Sequence, residues 1–349
     1  MVNRATPTEE QHTAAPSPDA PGVSSRETYR DLLVELMQHD QRLYCLDTDT
    51  GLFNGVDFGA AADRYINLGI AEHNVMGAAA GLAASGKRPF VNTMAAFAST
   101  RALEAVKLDI AYNNLPVRVV ATHGGLAAGH LGPSHHALED LAIMRALPGM
   151  TVLVPADAAA TRALIVQSLD LPGPVYIRLG RKGTPLIQAS DPQSLRIGCA
   201  ERLRSGDDVA IVACGPLPVM AALNAHDRLA QLDIPISAEV LNLHTIKPID
   251  TRALIDAATR CQAVVTVEDH WLTGGLGAAV AERLSELHPT LVIRVGVPDT
   301  FAEVPGEHET LLDLYGVSSE EVVVAALAAL DEVKAGKFAG VGGPPPTSR

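Results

Sequence analysis

Residues 64–81, RYINLGIAEHNVMGAAAG, decide how this chain is built. A short strand-like stretch turns through Gly69 into a helix made almost entirely of small residues, the strand-to-helix passage from which α/β sheets are assembled. A helix so rich in Ala and Gly can approach a neighbouring backbone closely. Glu72 falls in its first turn, where a negative charge complements the helix dipole by about 0.3–1 kcal/mol. Taken alone, that bland role would account for it.

Outward from this segment, apolar β-branched runs alternate with helical stretches. Strands are expected at 43–46, 89–93, 117–122, 151–154 and 175–179, then at 209–213, 236–242, 263–267 and 291–295. The intervening segments, such as 157–169 and 216–231, open on Asp or Pro and are long enough to cross over between parallel strands. Turn residues at 185–205 and the polar run RSGDD at 204–208 separate two such sets. The expected fold class is α/β, with two doubly wound domains at 25–188 and 196–335. Residues 1–24 and 336–349 read as disordered tails, being rich in Ala, Pro, Ser, Thr and Gly without apolar periodicity.

Composition narrows the function classes. A formal net charge of −13 argues against a nucleic-acid surface, so any anionic substrate must be met by a few local cations. No apolar run approaches the roughly 20 residues needed to cross a bilayer, and the N-terminus lacks the order of a signal peptide, which together point to the cytoplasm. The four cysteines (Cys45, Cys199, Cys214, Cys261) are widely spaced and form no C-x-x-C pair. They read as small buried hydrophobes, with neither a disulfide framework nor zinc implied.

Gly69-Ile70-Ala71-Glu72-His73 resembles the G-I-A-E-[QH] motif of the transketolase family. The resemblance implies thiamine diphosphate as cofactor and gives Glu72 the catalytic contact to a nitrogen of its aminopyrimidine ring. Segment 87–109, KRPFVNTMAAFASTRALEAVKLD, reads as strand, turn and helix, and in the family this region lays aromatic rings against the aminopyrimidine. Phe97 falls on an aromatic position of that pattern, Met94 stands where Phe is usual, and Thr100 stands where many members have Tyr. By itself Phe97 reads equally well as core, while Met94 offers a softer, polarisable surface. Asp49 matches a family acid on the cofactor side.

The Gly-rich loop 121–140, ATHGGLAAGHLGPSHHALED, holds His123, His130, His135 and His136 without any standard zinc spacing, so no metal site is assigned to them. Such loops at strand ends of open sheets are where ligands bind. The stretch resembles the family loop T-H-D-S…G-E-D-G-P-T-H-Q. On that basis His123 and His135 keep histidines of the substrate channel, near the phosphate and the reacting carbon respectively, and His135 is a catalytic candidate. Leu131 takes the place of the acid that reads sugar hydroxyls, His130 replaces the preceding Glu, and His136 replaces a Gln. Loss of a hydroxyl-reading carboxylate predicts weaker selection for ordinary ketose donors. Arg26 and Arg181 match two arginines that hold a sugar phosphate, a task suited to the guanidinium fork. Each read alone is a solvated surface cation.

Farther on, Val267-Glu268-Asp269-His270 and Thr273-Gly274-Gly275-Leu276-Gly277 resemble the E-[DEH]-H…G-G-[LA]-G signature of the family's C-terminal domain. The spacing is not that of a dinucleotide fingerprint, so the glycines read as close packing of helix on sheet and the domain as an assembly surface. The chain contains no G-D-G motif with a following N-N to present Mg2+ and diphosphate: Gly206-Asp207-Asp208 is a different sequence, and Asn113-Asn114 reads as a helix-end turn. The resemblance covers about 25–335 and corresponds to a pyrimidine-binding and a C-terminal domain. It implies a larger partner subunit that carries the diphosphate-binding domain and most of the Mg2+ ligation, in an α2β2 heterotetramer. The activity implied is transfer of a two-carbon ketol unit from a ketose to an aldehyde acceptor. Two alternatives stand beside it: a pyruvate-using carboligase of the deoxyxylulose phosphate synthase type, and a catalytically silent partner subunit.

Overall fold

The structure, a computed structural model, describes residues 22–187 and 195–336. Most of each expected tail lies outside the described residues. Val23–Ser24, placed with the N-terminal tail by composition, pairs antiparallel with Gly183–Thr184, and Ser24 caps the helix Ser25–His39 by accepting from the Glu27 N–H.

The apolar runs become two sheets. The larger has seven strands, ordered Thr245–Lys247, Thr151–Leu153, Val175–Arg178, Arg118–Thr122, Arg88–Met94, Leu43–Asp47 and Tyr65–Asn67. The smaller has five, ordered Val292–Val297, Ala263–Trp271, Val209–Ala213, Ala238–Asn242 and Glu201–Arg204. Neighbours in both are parallel except at one edge of each, where Thr245–Lys247 and Glu201–Arg204 run antiparallel. Central strands such as Arg118–Thr122 and Val209–Ala213 are buried at every position, as parallel strands covered on both faces must be. All nine expected strands are present, within a few residues of their expected bounds.

Two differences bear on function. Thr245–Lys247 belongs by sequence to the second half of the chain yet completes the first sheet, and the Val154 N–H donates to the His244 carbonyl beside it. Its Lys247 Nζ donates to the carbonyls of Arg145 and Leu147 at the end of helix Asp140–Ala146. The strand expected to end at Val267 continues to Trp271, so Glu268, Asp269 and His270 are strand residues rather than loop residues.

The helix expected over 157–169 spans Ala158–Ser168. Its cap Asp157 is buried, with Oδ1 accepting from the Ala160 N–H at 2.7 Å and Oδ2 from the Ile187 N–H at 3.0 Å. The glycines 274–277 are packing residues as expected: a Cβ on Gly277 would lie 2.7 Å from Thr266 Oγ1, and one on Gly275 would lie 2.0 Å from Glu268 Oε2. That glutamate accepts from the Leu276 and Gly277 N–H groups and so caps the helix Leu276–Leu287. Cys45, Cys214 and Cys261 are buried and Cys199 is exposed, all as free thiols.

Asp157→Ala removes a helix cap and strands two amide donors in a buried place. It is expected to lower unfolding stability by about 2–3 kcal/mol, read from urea denaturation, whereas Asp157→Asn recovers part of the loss.

Candidate active site

Every site candidate from the first domain hangs on the carboxyl end of a strand of the larger sheet or on the helix that packs there, apart from Arg26 near the start of helix Ser25–His39. This is where open α/β sheets bind ligands. After Leu43–Asp47, the buried Asp47 gathers the turn by accepting from the Thr48 N–H at 2.9 Å, Thr50 Oγ1 at 3.0 Å and Asn92 Nδ2 at 2.6 Å. That turn holds Asp49 in the left-handed region, φ 59°, beside Asn67.

Glu72 opens the helix Glu72–Ala84. Its side chain is 2% exposed and provides no cap to that helix; both carboxylate oxygens instead meet Arg101 Nη1, at 2.9 and 3.0 Å. The helix-dipole account is therefore incomplete, because this acid has been taken out of water and is met directly by a cation. Arg101 lies in the turn between helices Ala95–Ser99 and Leu103–Ala105, and its guanidinium carbon stands 4.1 Å from the Phe97 ring centroid. Phe97 is only half-buried and meets the His135 ring edge-on, with centroids 5.1 Å apart. Glu72, Arg101, Phe97 and His135 thus form one continuous line. Met94 is partly buried at the cap of Ala95–Ser99 and pairs in the sheet with Thr122.

On the other side of His135, His123 is buried at φ 61° and hydrogen-bonds Thr122 Oγ1 through Nδ1. Burial, and then the charges of Arg26, Arg181 and His135, push its pKa down to about 3. The same charges show that these four sequence candidates share one neighbourhood. Arg26 is depressed by burial and by its cationic neighbours Arg181 and Arg30 in spite of Glu27, and its Nε has no hydrogen-bond partner among the described residues.

Other candidates are placed differently. The exposed His130 meets Glu307 at 2.7 Å, and Glu307 also holds Lys182, so this part of the loop is fastened to the second domain. These two partners pull the Glu307 carboxyl down to about 2. Leu131 is 47% exposed. His136 is buried with one nitrogen 3.4 Å from the Gly129 carbonyl, and burial lowers its pKa.

Sequence reasoning missed the residues that hold the loop. Arg178 is buried and donates to the carbonyls of Ala137 and Asp269, with its Nε 3.1 Å from the Asp140 carboxylate. Asp269 accepts from the Leu126 N–H at 3.0 Å and from His308 Nε2 at 2.8 Å. Burial alone would push its carboxyl up, but His308, Arg178 and the Leu126 amide outweigh it and hold it below the usual value. Gly124 and Gly125 are required here because a Cβ would strike Arg178 and Asp269, at 2.3 and 2.0 Å. The sequence signal for this clamp was the acid in Glu268-Asp269-His270; the signal for Arg101 was a lone cation within an Ala-rich run.

A buried acid and a half-buried aromatic ring side by side fit a flat, nitrogen-bearing group, since the guanidinium between them is bonded to one and stacked on the other. The class of the protein, a transketolase-type transferase, follows from its family matches. Residues 22–185 match the pyrimidine-binding domain of transketolase, and residues 198–322 match its C-terminal domain. The chain belongs to the transketolase family. It is 43% identical over 303 residues to the 6-deoxy-6-sulfo-D-fructose transketolase subunit SqwH of Clostridium sp. (strain MSTE9), covering 86% of this chain and 92% of that one. It is 38% identical over 307 residues to a subunit of the apulose-4-phosphate transketolase of Phocaeicola vulgatus, covering 87% and 97%. A solved structure described as a split gene transketolase, inactive beta4 tetramer, superposes with a TM-score of 0.81 at 44% identity, over 89% of this chain and 99% of that chain.

The depressed His123 has a consequence for stability. Unfolded, a histidine takes up its proton near pH 6.5; folded, His123 does so only near 3, and His244, also buried, only near 4. Protonation therefore favours the unfolded chain, and stability falls as pH drops from about 6.5 towards 4, by up to about 1.4 kcal/mol per unit for each histidine. Denaturation at pH 7.5 and pH 5 is expected to show this loss in the native chain and a smaller one in His123→Gln.

Proposed function

We propose that this chain is the small subunit of a split transketolase-type enzyme that moves a two-carbon ketol unit from an anionic ketose to an aldehyde acceptor. The observation that carries the reading is the buried Glu72 carboxylate beside the half-buried Phe97 ring, with one planar side chain, Arg101, touching both. When bound, thiamine diphosphate supplies the nucleophilic carbon that holds the two-carbon unit during transfer. Glu72 addresses a ring nitrogen of the cofactor, and its burial keeps water from competing for that contact. Phe97 and Met94 bear on the ring, and Asp49 stands on the cofactor side.

His135 exchanges a proton with the substrate where the carbon–carbon bond is made and broken, a role supported by its contact with Phe97. His123 remains neutral at physiological pH, so it serves as a hydrogen-bonding group while Arg26 and Arg181 meet the anion. These cations answer the need set by the chain's overall charge of −13. Sulfofructose and apulose 4-phosphate, which give two relatives their names, are both anionic sugars. Leu131, exposed in the altered loop, and His130, turned to Glu307, leave the acid usual there without a replacement. The donor is accordingly a ketose other than the ordinary pentose phosphates.

The diphosphate-binding domain and most of the Mg2+ ligation come from a larger subunit in an α2β2 assembly. Support comes from the missing G-D-G motif and from the split-gene relative, whose β4 tetramer is described as inactive. The carboligase alternative has weaker support: the 1-deoxy-D-xylulose-5-phosphate synthase 1 of Geobacter sulfurreducens is 34% identical and only 49% of its length is covered.

Mixed with its larger subunit, thiamine diphosphate and Mg2+, the native chain is expected to cleave anionic ketoses. Glu72→Gln is expected to lose turnover by roughly 10²–10⁴-fold while keeping its fold and assembly. Near-native turnover in that variant would overturn the assignment.

A further inference from the structure

The pair Glu72–Arg101 does not have the form of a purely structural ion pair. Glu72 is 2% exposed and fixed at the start of a helix, whereas the Arg101 side chain is 46% exposed and rises from a turn between two short helices. Among the described residues, the guanidinium bonds only to Glu72 and stacks only on Phe97. Two surfaces that are otherwise unrelated, an acid from one strand–helix unit and a ring from the next, are thus satisfied together by one planar, cationic side chain. Guanidinium is suited to this because it is flat, carries N–H groups in its plane and stacks on aromatic faces.

We propose that Arg101 is a built-in placeholder for the cofactor ring. Resting on the reading of Glu72 and Phe97 as the ring's seat, the inference adds that the seat is filled by the chain's own side chain until the cofactor displaces it. A carboxylate buried without a partner is costly, so the small subunit folding apart from its cofactor needs a counter-charge at Glu72. An arginine can supply it and still leave, because nearly half of its side chain stays in water. The cofactor and Arg101 compete for the same two contacts, and the closed form lowers apparent cofactor affinity in proportion to its population.

The test uses the full chain assembled with its larger subunit, with thiamine diphosphate and Mg2+ titrated by calorimetry. Arg101→Met keeps apolar contact with Phe97 and removes the charge; Arg101→Lys keeps the charge and loses the planar fork. Apparent cofactor affinity is expected to rise on the order of tenfold in Arg101→Met, as when a competitor held nine-tenths of the molecules, and by less in Arg101→Lys. In the small subunit alone, Arg101→Met is expected to unfold more readily than the native chain, and adding Glu72→Gln to it should remove that difference. Unchanged or weaker cofactor binding in both Arg101 variants would overturn the placeholder role, and the lysine variant carries the test if the methionine variant does not assemble. Failure of the underlying reading is separately visible: Glu72→Gln and Phe97→Ala would then bind cofactor and turn over as the native chain does, whatever Arg101 does.

Discussion

The loop 121–140 of this protein depends on a buried charge cluster between its two sheets. Arg178, at the end of a strand in the larger sheet, reaches the Ala137 carbonyl on the returning limb of the loop, the Asp140 carboxylate below it and the Asp269 carbonyl in the smaller sheet. Asp269 then holds the outgoing limb through the Leu126 amide. One guanidinium and one carboxylate therefore fix both limbs that carry His123 and His135. Removing the Arg178 guanidinium would leave the Asp140 carboxylate buried without its cation, which costs more than the pair contributes when intact. The second domain, read from sequence as an assembly surface, also shapes the first domain's site.

Much of this architecture was legible in the sequence because its signals are local. Buried parallel strands advertise themselves as short β-branched runs, and Asp157 and Pro216 stand at helix starts where caps and first-turn prolines belong. Thr245–Lys247 and Glu201–Arg204 were not legible: one is three residues long and borrows its partner from another domain, and the other is a charged edge strand with only Leu203 buried. The site divided in the same way. His123, Arg26, Arg181 and His135 carry motif signals and come together, whereas Arg101 and Arg178 acquire meaning from carboxylate and carbonyl partners 29 or more residues away.

Charge is distributed with purpose in a chain that is acidic overall. Its site cations are held among themselves on one side of His135, with Arg26 Nε lacking a protein partner among the described residues, while the cation on the other side is engaged by Glu72. The first group has no carboxylate paired with Arg26 Nε among the described residues; the second has found one within the chain. Phe97 joins the two neighbourhoods, touching Arg101 with its face and His135 edge-on.

The central claim is that Glu72 and Phe97 form the seat of the cofactor ring. A structure of the chain assembled with its larger subunit, thiamine diphosphate and Mg2+ tests it most directly. The account predicts the ring within hydrogen-bonding distance of the Glu72 carboxyl and against Phe97, with Arg101 displaced from both. A ring bound elsewhere, with Arg101 still closed on Glu72, would contradict it.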